Sequence, residues 1–228
     1  MKDYYSKNKV KQVNLGNFES NIIFLRKTRI LSKNKRILEI GSGKGSLIHH
    51  LKKEGYNITG TEIDYNLVKE GKKLFGNIPL KTMSGDKLNF KDSSFDVVLS
   101  FDVFEHISDS DKHLKEVRRV LKKRGYYLLG TPNKWTNIPW EIIQSKSFKY
   151  REYHCSLHNY WQIKKRFNKN GFEVKFVEIP ILNDFTIGKV NKVLGRTGVF
   201  LFKLFNPDKM PYFLKTNFYL VAKSRKLK

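Results

Sequence analysis

The sequence predicts a doubly wound α/β fold, in which helices cover both faces of a parallel sheet. Three observations carry that prediction. From Arg36 onward, short apolar runs alternate with segments of helical periodicity. Glycines at 41, 43 and 45 break the chain between the first such run and the first such helix. No internal repeat or low-complexity linker divides the chain. Since each parallel crossover needs a helix and is right-handed, regular alternation leaves few other arrangements.

The segment Phe18 to Leu31 carries Ile22, Ile23, Leu25 and Ile30 at a spacing that suits a helix, so residues 1–34 are expected to lead into the domain. Arg36 to Ile40 reads as the first strand, and Leu47 to Lys53 as the helix after the glycine loop. Tyr56 to Thr61 and Tyr65 to Phe75 repeat the strand–helix unit, and Leu80 to Met83 adds a short strand. Phe95 to Ser100 reads as a buried strand. Ser110 to Lys123 reads as a helix with Leu114, Val117, Val120 and Leu121 on its apolar face, broken at Gly125. Tyr126 to Leu129 is the next strand, ended by Thr131-Pro132-Asn133. Tyr160 to Asn170 is expected as a helix closed by Gly171, followed by strands at Phe172 to Ile179 and Phe218 to Ala222. Two stretches, 132–157 and 182–214, fall outside the alternation and are expected as insertions in one domain, 1–228.

Of the residues, 39% are hydrophobic and 14% aromatic, which is enough for a packed interior and excludes global disorder. Cys155 is the only cysteine, which excludes an internal disulfide and a cysteine-rich metal site. The first residues are polar, and no apolar run approaches the ~20 residues of a membrane span, so a cytoplasmic protein is expected. The net charge of +24 creates a field that attracts nucleic acid, anionic lipid or acidic substrates without choosing among them. An AT-rich coding sequence, with its excess of Lys, Asn and Ile, accounts for the same composition.

Ligands in such sheets bind beyond the C-terminal strand ends, which brings the glycine loop, Glu62, Asp86 and the segment after Ser100 to one edge. The loop Glu39-Ile-Gly41-Ser-Gly43-Lys-Gly45 lets the backbone approach a ligand closely. Its third glycine comes one residue earlier than in a dinucleotide loop, and an acid precedes its first. That acid suits a cationic amino-acid end better than a phosphate. Glu62 closes the second strand, where a carboxylate can accept from both hydroxyls of an adenosine ribose. Asp64 can share that task or cap the following helix. Asp86, in Ser84-Gly-Asp-Lys-Leu88, can hold an adenine amino group or be a plain turn aspartate.

With these residues in place, the chain resembles the class I S-adenosylmethionine-dependent methyltransferases over Lys35 to Ile179. The matching pieces, in the family's order, are ILEIGSGKGSL, TEID, SGDKLNF, SSFDVVLSFDVFEHI, RRVLKKRGYYLLGTPN and KNGFEVKFVEI. The likeness is to the branch with ubiquinone- and menaquinone-pathway and small-molecule enzymes. It implies a Rossmann-like, mostly parallel seven-stranded sheet whose reversed last strand would be Phe218 to Ala222. It also implies that 35–131 is the cofactor-binding half, with Glu39, Gly41, Ser42, Gly43, Gly45, Glu62, Ile63, Asp86, Lys87 and Phe101 around S-adenosylmethionine.

The implied reaction is methyl transfer to an oxygen, nitrogen or carbon of a small-molecule or lipid-like acceptor, in which the protein mainly orients two reactants. His106 is the candidate general base, the alternative being a histidine packed beside the cofactor. Asp102, Glu105 and His106 have the ligand types of a divalent-metal site. Quinone-pathway O-methyltransferases, to which this segment is similar, carry an acidic triplet ending in Glu-His, so Mg²⁺ is a candidate cofactor. His154 and His158 are spaced as ligands on a helix can be. With no third ligand nearby, the expectation is instead that Ser156 to His158 begins the next helix and His154 lines a substrate pocket or the surface. Trp135, Trp140, Phe148, Tyr150 and Tyr153 can wall off an apolar substrate or simply pack the insertion. Val199 to Phe205, framed by Lys189, Lys192, Arg196, Lys203 and Lys209, can rest on an anionic membrane or form a lid. An RNA acceptor, or a cofactor-binding partner protein without catalysis, remain the alternative functions.

Overall fold

The computed structural model describes residues 17–148 and 154–225. Seven strands form one sheet in the order β3-β2-β1-β4-β5-β7-β6. They are β1 (Arg36–Ile40), β2 (Asn57–Glu62), β3 (Leu80–Thr82), β4 (Phe95–Phe101), β5 (Leu121–Pro132), β6 (Phe172–Phe176) and β7 (Asn217–Ser224). The pairs β3–β2, β2–β1, β1–β4 and β4–β5 are parallel, whereas β7 runs antiparallel to both β5 and β6. The chain thus has the seven-stranded sheet with a reversed last strand.

Seven helices accompany the sheet among the described residues: α1 (Phe18–Thr28), α2 (Ser46–Lys53), α3 (Tyr65–Phe75), α4 (Ser110–Val120), α5 (Lys134–Ser145), α6 (Tyr160–Lys169) and α7 (Asp184–Phe205). Side chains alternate across a strand, so a strand covered on both faces is apolar throughout. In β4, Val97 and Leu99 join Phe24, Leu47, Ile48 and Val68 of α1, α2 and α3, while Val98 joins Leu114, Val117 and Phe167 of α4 and α6. The two cores lie on opposite faces and hold the strand ends in register.

Sequence and structure part at several boundaries. The helix expected to reach Lys123 ends at Val120, and β5 begins at once at Leu121. Leu121 pairs with Phe95, and pairing resumes at Tyr126 opposite Val97. Residues 122–125 therefore bulge out, with Arg124 at φ 61°. The turn at Ser156 to His158 does not start a helix: α6 begins at Tyr160, where Asn159 and Gln162 form a capping box. β6 stops at Phe176, short of the expected Ile179. Within the insertions, α5 and α7 are helices, and α7 is kinked at Gly195. No helix among the described residues is long and apolar enough to cross a membrane.

Candidate functional site

The loop after β1 is folded by its glycines and tied to β2. Gly41, Gly43 and Gly45 have φ of 71°, 53° and 84°, in the left-handed region that favours glycine. A Cβ at Gly41 would lie 2.2 Å from Val103 Cγ2, so the loop presses against the segment after β4. The N–H groups of Gly41 and Ser42 donate to the Thr61 carbonyl at 2.8 and 2.9 Å. Lys44 is buried and pairs with Glu70 of α3 at 2.7 Å, which anchors the far end of the loop.

Glu39 is buried under this loop, and its Oε2 has no hydrogen-bond partner among the described residues. Burial pushes its carboxyl up to about 8, and the nearby Glu62 carboxylate adds to the effect. A buried, orphaned acid is costly unless a ligand completes it, and an ammonium group would do so. Glu62 is held firmly: one oxygen accepts from Gly43 N–H at 2.8 Å, the other from Ile63 N–H at 2.8 Å and Asp64 N–H at 3.1 Å. A carboxylate offers about four acceptor positions, so three main-chain bonds orient it and leave capacity for a hydroxyl. The Ile63 side chain is exposed beside it. Asp64 caps α3 by accepting from Asn66 N–H.

Asp86 lies beyond β3, where it accepts from Ser84 Oγ at 2.5 Å and Lys112 Nζ at 3.1 Å. These bonds, with Ser84 the larger influence, hold its carboxyl below the usual range. Lys87 is exposed on the same turn. The Phe101 ring packs against Phe24 and Tyr219, at centroid distances of 6.1 and 6.5 Å, which places it at the junction of β4, β7 and α1.

A second cluster forms beyond β4. Glu105 is 1% exposed and accepts from Thr131 Oγ1 at 2.9 Å. Burial first, then repulsion from Asp102, pushes its carboxyl up to about 8. The His106 ring lies 4.9 Å from that of His154, and its Nε2 is 4.0 Å from Glu105 Oε1. Glu141 of α5 stands 3.9 Å from His154 Nδ1. Burial, helped by the positive charge of Lys189, pulls His154 down to about 4. Burial thus favours the neutral form of both the His154 imidazole and the Glu105 carboxyl.

Geometry gathers a different ligand set from the one expected for a metal. The atoms within 4.8 Å of one another belong to Glu105, His106 and His154, and Asp102 is not among them. Two imidazoles and one carboxyl group are a poor match to Mg²⁺, which takes oxygen ligands in near-octahedral array. His158, the spacing partner of His154, is instead buried against Phe104 at 5.3 Å, and its main-chain carbonyl accepts from Lys134 N–H. Trp135 contacts Trp161 and Phe213 at 5.2 and 6.2 Å, so it packs within an exposed aromatic group. Phe148 is exposed. Tyr150 and Tyr153 lie outside the described residues.

Sequence reasoning missed a buried polar relay. His113 Nδ1 lies 2.7 Å from the Gly85 carbonyl, His113 Nε2 lies 2.9 Å from Tyr127 Oη, and that oxygen lies 2.6 Å from Ser100 Oγ. Burial pulls His113 down to about 4, so it is neutral at pH 7. Because the carbonyl can only accept, Nδ1 donates, Tyr127 donates to Nε2, and Ser100 donates to Tyr127. The relay ties α4, β4 and β5 to the turn carrying Asp86. The available signal was position: His113 lies four residues before Val117 on the apolar stripe of α4.

Residues 38–129 match the family described as a methyltransferase domain. The chain is 30% identical over 158 residues to the sterol 4-C-methyltransferase strm-1 of Caenorhabditis elegans, covering 65% of this chain and 47% of that protein. It is 32% identical over 106 residues to the ubiquinone biosynthesis O-methyltransferase of Pelagibacter ubique, covering 45% of this chain and 44% of that one. The chain spans about half the length of the curated relatives it matches. Among solved structures, phosphoethanolamine N-methyltransferase 2 of Haemonchus contortus superposes with a TM-score of 0.64 at 20% identity, over 95% of this chain and 54% of that one. A chain from the complex of the Haloferax volcanii Trm112 methyltransferase activator with a methyltransferase gives 0.71 at 16% identity, over 92% and 90%. Sequence relatives and fold converge: residues 38–129 match a methyltransferase domain, and the chain is similar to S-adenosylmethionine-dependent methyltransferases of class I fold.

Proposed function

We propose that the protein is a cytoplasmic enzyme that transfers a methyl group from S-adenosylmethionine to a small or lipid-like acceptor. The observation that carries this reading is Glu39, a buried acid with an orphaned oxygen beneath a positive-φ glycine loop, matched across the loop by the main-chain-oriented carboxylate of Glu62. Such a pair suits a ligand with an ammonium at one end and a ribose at the other. When bound, S-adenosylmethionine supplies an electrophilic methyl group on a sulfonium centre.

In this reading Glu39 holds the ammonium, Glu62 a ribose hydroxyl and Asp86 the adenine amino group. Ser42, Ile63, Lys87 and Phe101 complete the surroundings. The acceptor enters beyond β4 and β5, beside His106. His106 takes the acceptor's proton where the nucleophile arrives protonated, which contributes about 10²–10⁴-fold. His106 Nε2 lies 4.0 Å from Glu105 Oε1. Orientation contributes more, roughly 7–11 kcal/mol in favourable systems. A small or lipid-like acceptor is supported by the relatives whose names specify a sterol and a ubiquinone precursor pathway.

The test is calorimetric titration with S-adenosylmethionine and with its demethylated product, for the native protein, Gly43→Arg and Glu62→Ala. Binding of both ligands by the native protein, weakened in the variants, supports the site. No binding of either ligand to folded native protein removes it.

A further inference from the structure

The helix α7 changes character at Gly195, where φ 63° and ψ −166° interrupt it. Val190 is buried before the kink, and Gly198 is the buried residue after it. Beyond the kink, Phe200, Leu201, Leu204 and Phe205 are 64%, 45%, 66% and 68% exposed. Spacings of one and four residues set these side chains in one band along the helix. A surface helix ordinarily turns such a band to the core, whereas here it faces water.

The exposed charges flanking the band are basic. Lys189, Lys192, Arg196, Lys203 and Lys209 are all exposed. Of the two acids on this stretch, Asp208 is engaged by the main-chain N–H groups of Ile181 and Leu182. An apolar band rich in Phe and Leu, flanked by lysines on a helix not apolar enough to span, has the composition of a helix lying in the plane of a lipid interface. A second copy of a chain carrying +24 would meet it with like charge. Nucleic acid would match the lysines but leave the band in water. Anionic lipid answers both features.

We propose that the part of α7 beyond Gly195 docks the protein on an anionic bilayer, with the band among the acyl chains and the lysines at the headgroups. The first half of the same helix reaches the candidate acceptor region, because the charge of Lys189 acts on both Glu141 and His154. Docking through the second half therefore brings that region to the membrane, where a lipid-like acceptor resides. Vesicle partition and cofactor binding are separate measurements, so this inference can fail without the methyl-transfer reading, and the reverse.

The experiment is co-sedimentation of the full chain with vesicles of phosphatidylcholine containing about one-third phosphatidylglycerol, and with phosphatidylcholine alone, at low salt. The native protein is expected to pellet with the anionic vesicles alone. Combined Phe200→Ser, Leu204→Ser and Phe205→Ser should reduce partition about tenfold or more. Lys192→Gln and Lys203→Gln should each reduce it about fivefold. Melting temperature and S-adenosylmethionine affinity should be unchanged. Should the triple variant prove unstable, Leu204→Ser alone serves, with a smaller reduction in the same direction. Native protein that stays in the supernatant overturns the proposal. So does partition indifferent to the band, which would mean diffuse charge alone. A native dimer abolished by the triple variant would assign the band to a second copy instead.

Discussion

Replacing Glu39 by Gln tests the central electrostatic feature of the site. Burial holds this carboxyl near 8, so at pH 7 about one molecule in eleven has it ionised. If the ammonium of the cofactor requires the carboxylate, binding at pH 7 must first remove a proton. That costs about tenfold in affinity, or roughly 1 kcal/mol. Affinity of the native protein should then rise about ninefold between about pH 6 and 7, with nearly one proton released per ligand. The range stops below pH 8 because the α-amino group of the ligand itself begins to titrate near there. In Glu39→Gln the dependence should flatten and affinity at pH 7 should fall. Isothermal titration in two buffers of different ionisation enthalpy reads both the slope and the proton count. A native slope of zero, or the same slope in native and variant, would refute the assignment of Glu39 to the ammonium.

Stability should peak at about pH 6–7. His113, His154 and His158 lie near 4 in the fold against about 6.5 unfolded, so their contribution is complete above the higher value and is lost as pH falls towards 4. Glu39 and Glu105 lie near 8 against about 4.5, so their contribution is complete below the lower value and is lost as pH rises towards 8. A melting temperature that climbs steadily to about pH 8.5 would contradict this account. Tyr127→Phe should cost about 1–3 kcal/mol by denaturant titration, because it strips His113 Nε2 of its donor in a buried place. An unchanged midpoint would mean the relay carries no net stability. Gly41→Ala should lose cofactor binding, since φ is 71° and Val103 stands 2.2 Å from the added carbon. Calorimetry showing native affinity would count against so close a fit. Excess chelator should leave turnover unchanged, and turnover lost to chelator and restored by Mg²⁺ would return a metal to the mechanism.

Legibility in the sequence followed the range of the interactions. Glu39, the glycine loop, Glu62 and Asp86 could be placed because each sits within a few residues of a strand end, and the period of a buried strand marks that end locally. The end of α4 misled because Leu121 continues its apolar stripe, although it serves β5; only the pairing with Phe95 decides between them. His154 and His158 share a helical spacing that the chain never uses, because α6 starts only at Tyr160, capped by Asn159. Their actual partners, His106 and Phe104, lie about 50 residues away in sequence, and no local pattern encodes such a contact. The same holds for Glu105. As an acid next to a histidine it reads as a ligand or an ion pair. Buried against Thr131 and repelled by Asp102, it is pushed towards the neutral carboxyl form. What an acidic side chain does at this site is set by its neighbours in space. The proposed acceptor end was therefore less legible than the proposed cofactor end, whose candidate residues sit in the glycine loop and at neighbouring strand ends.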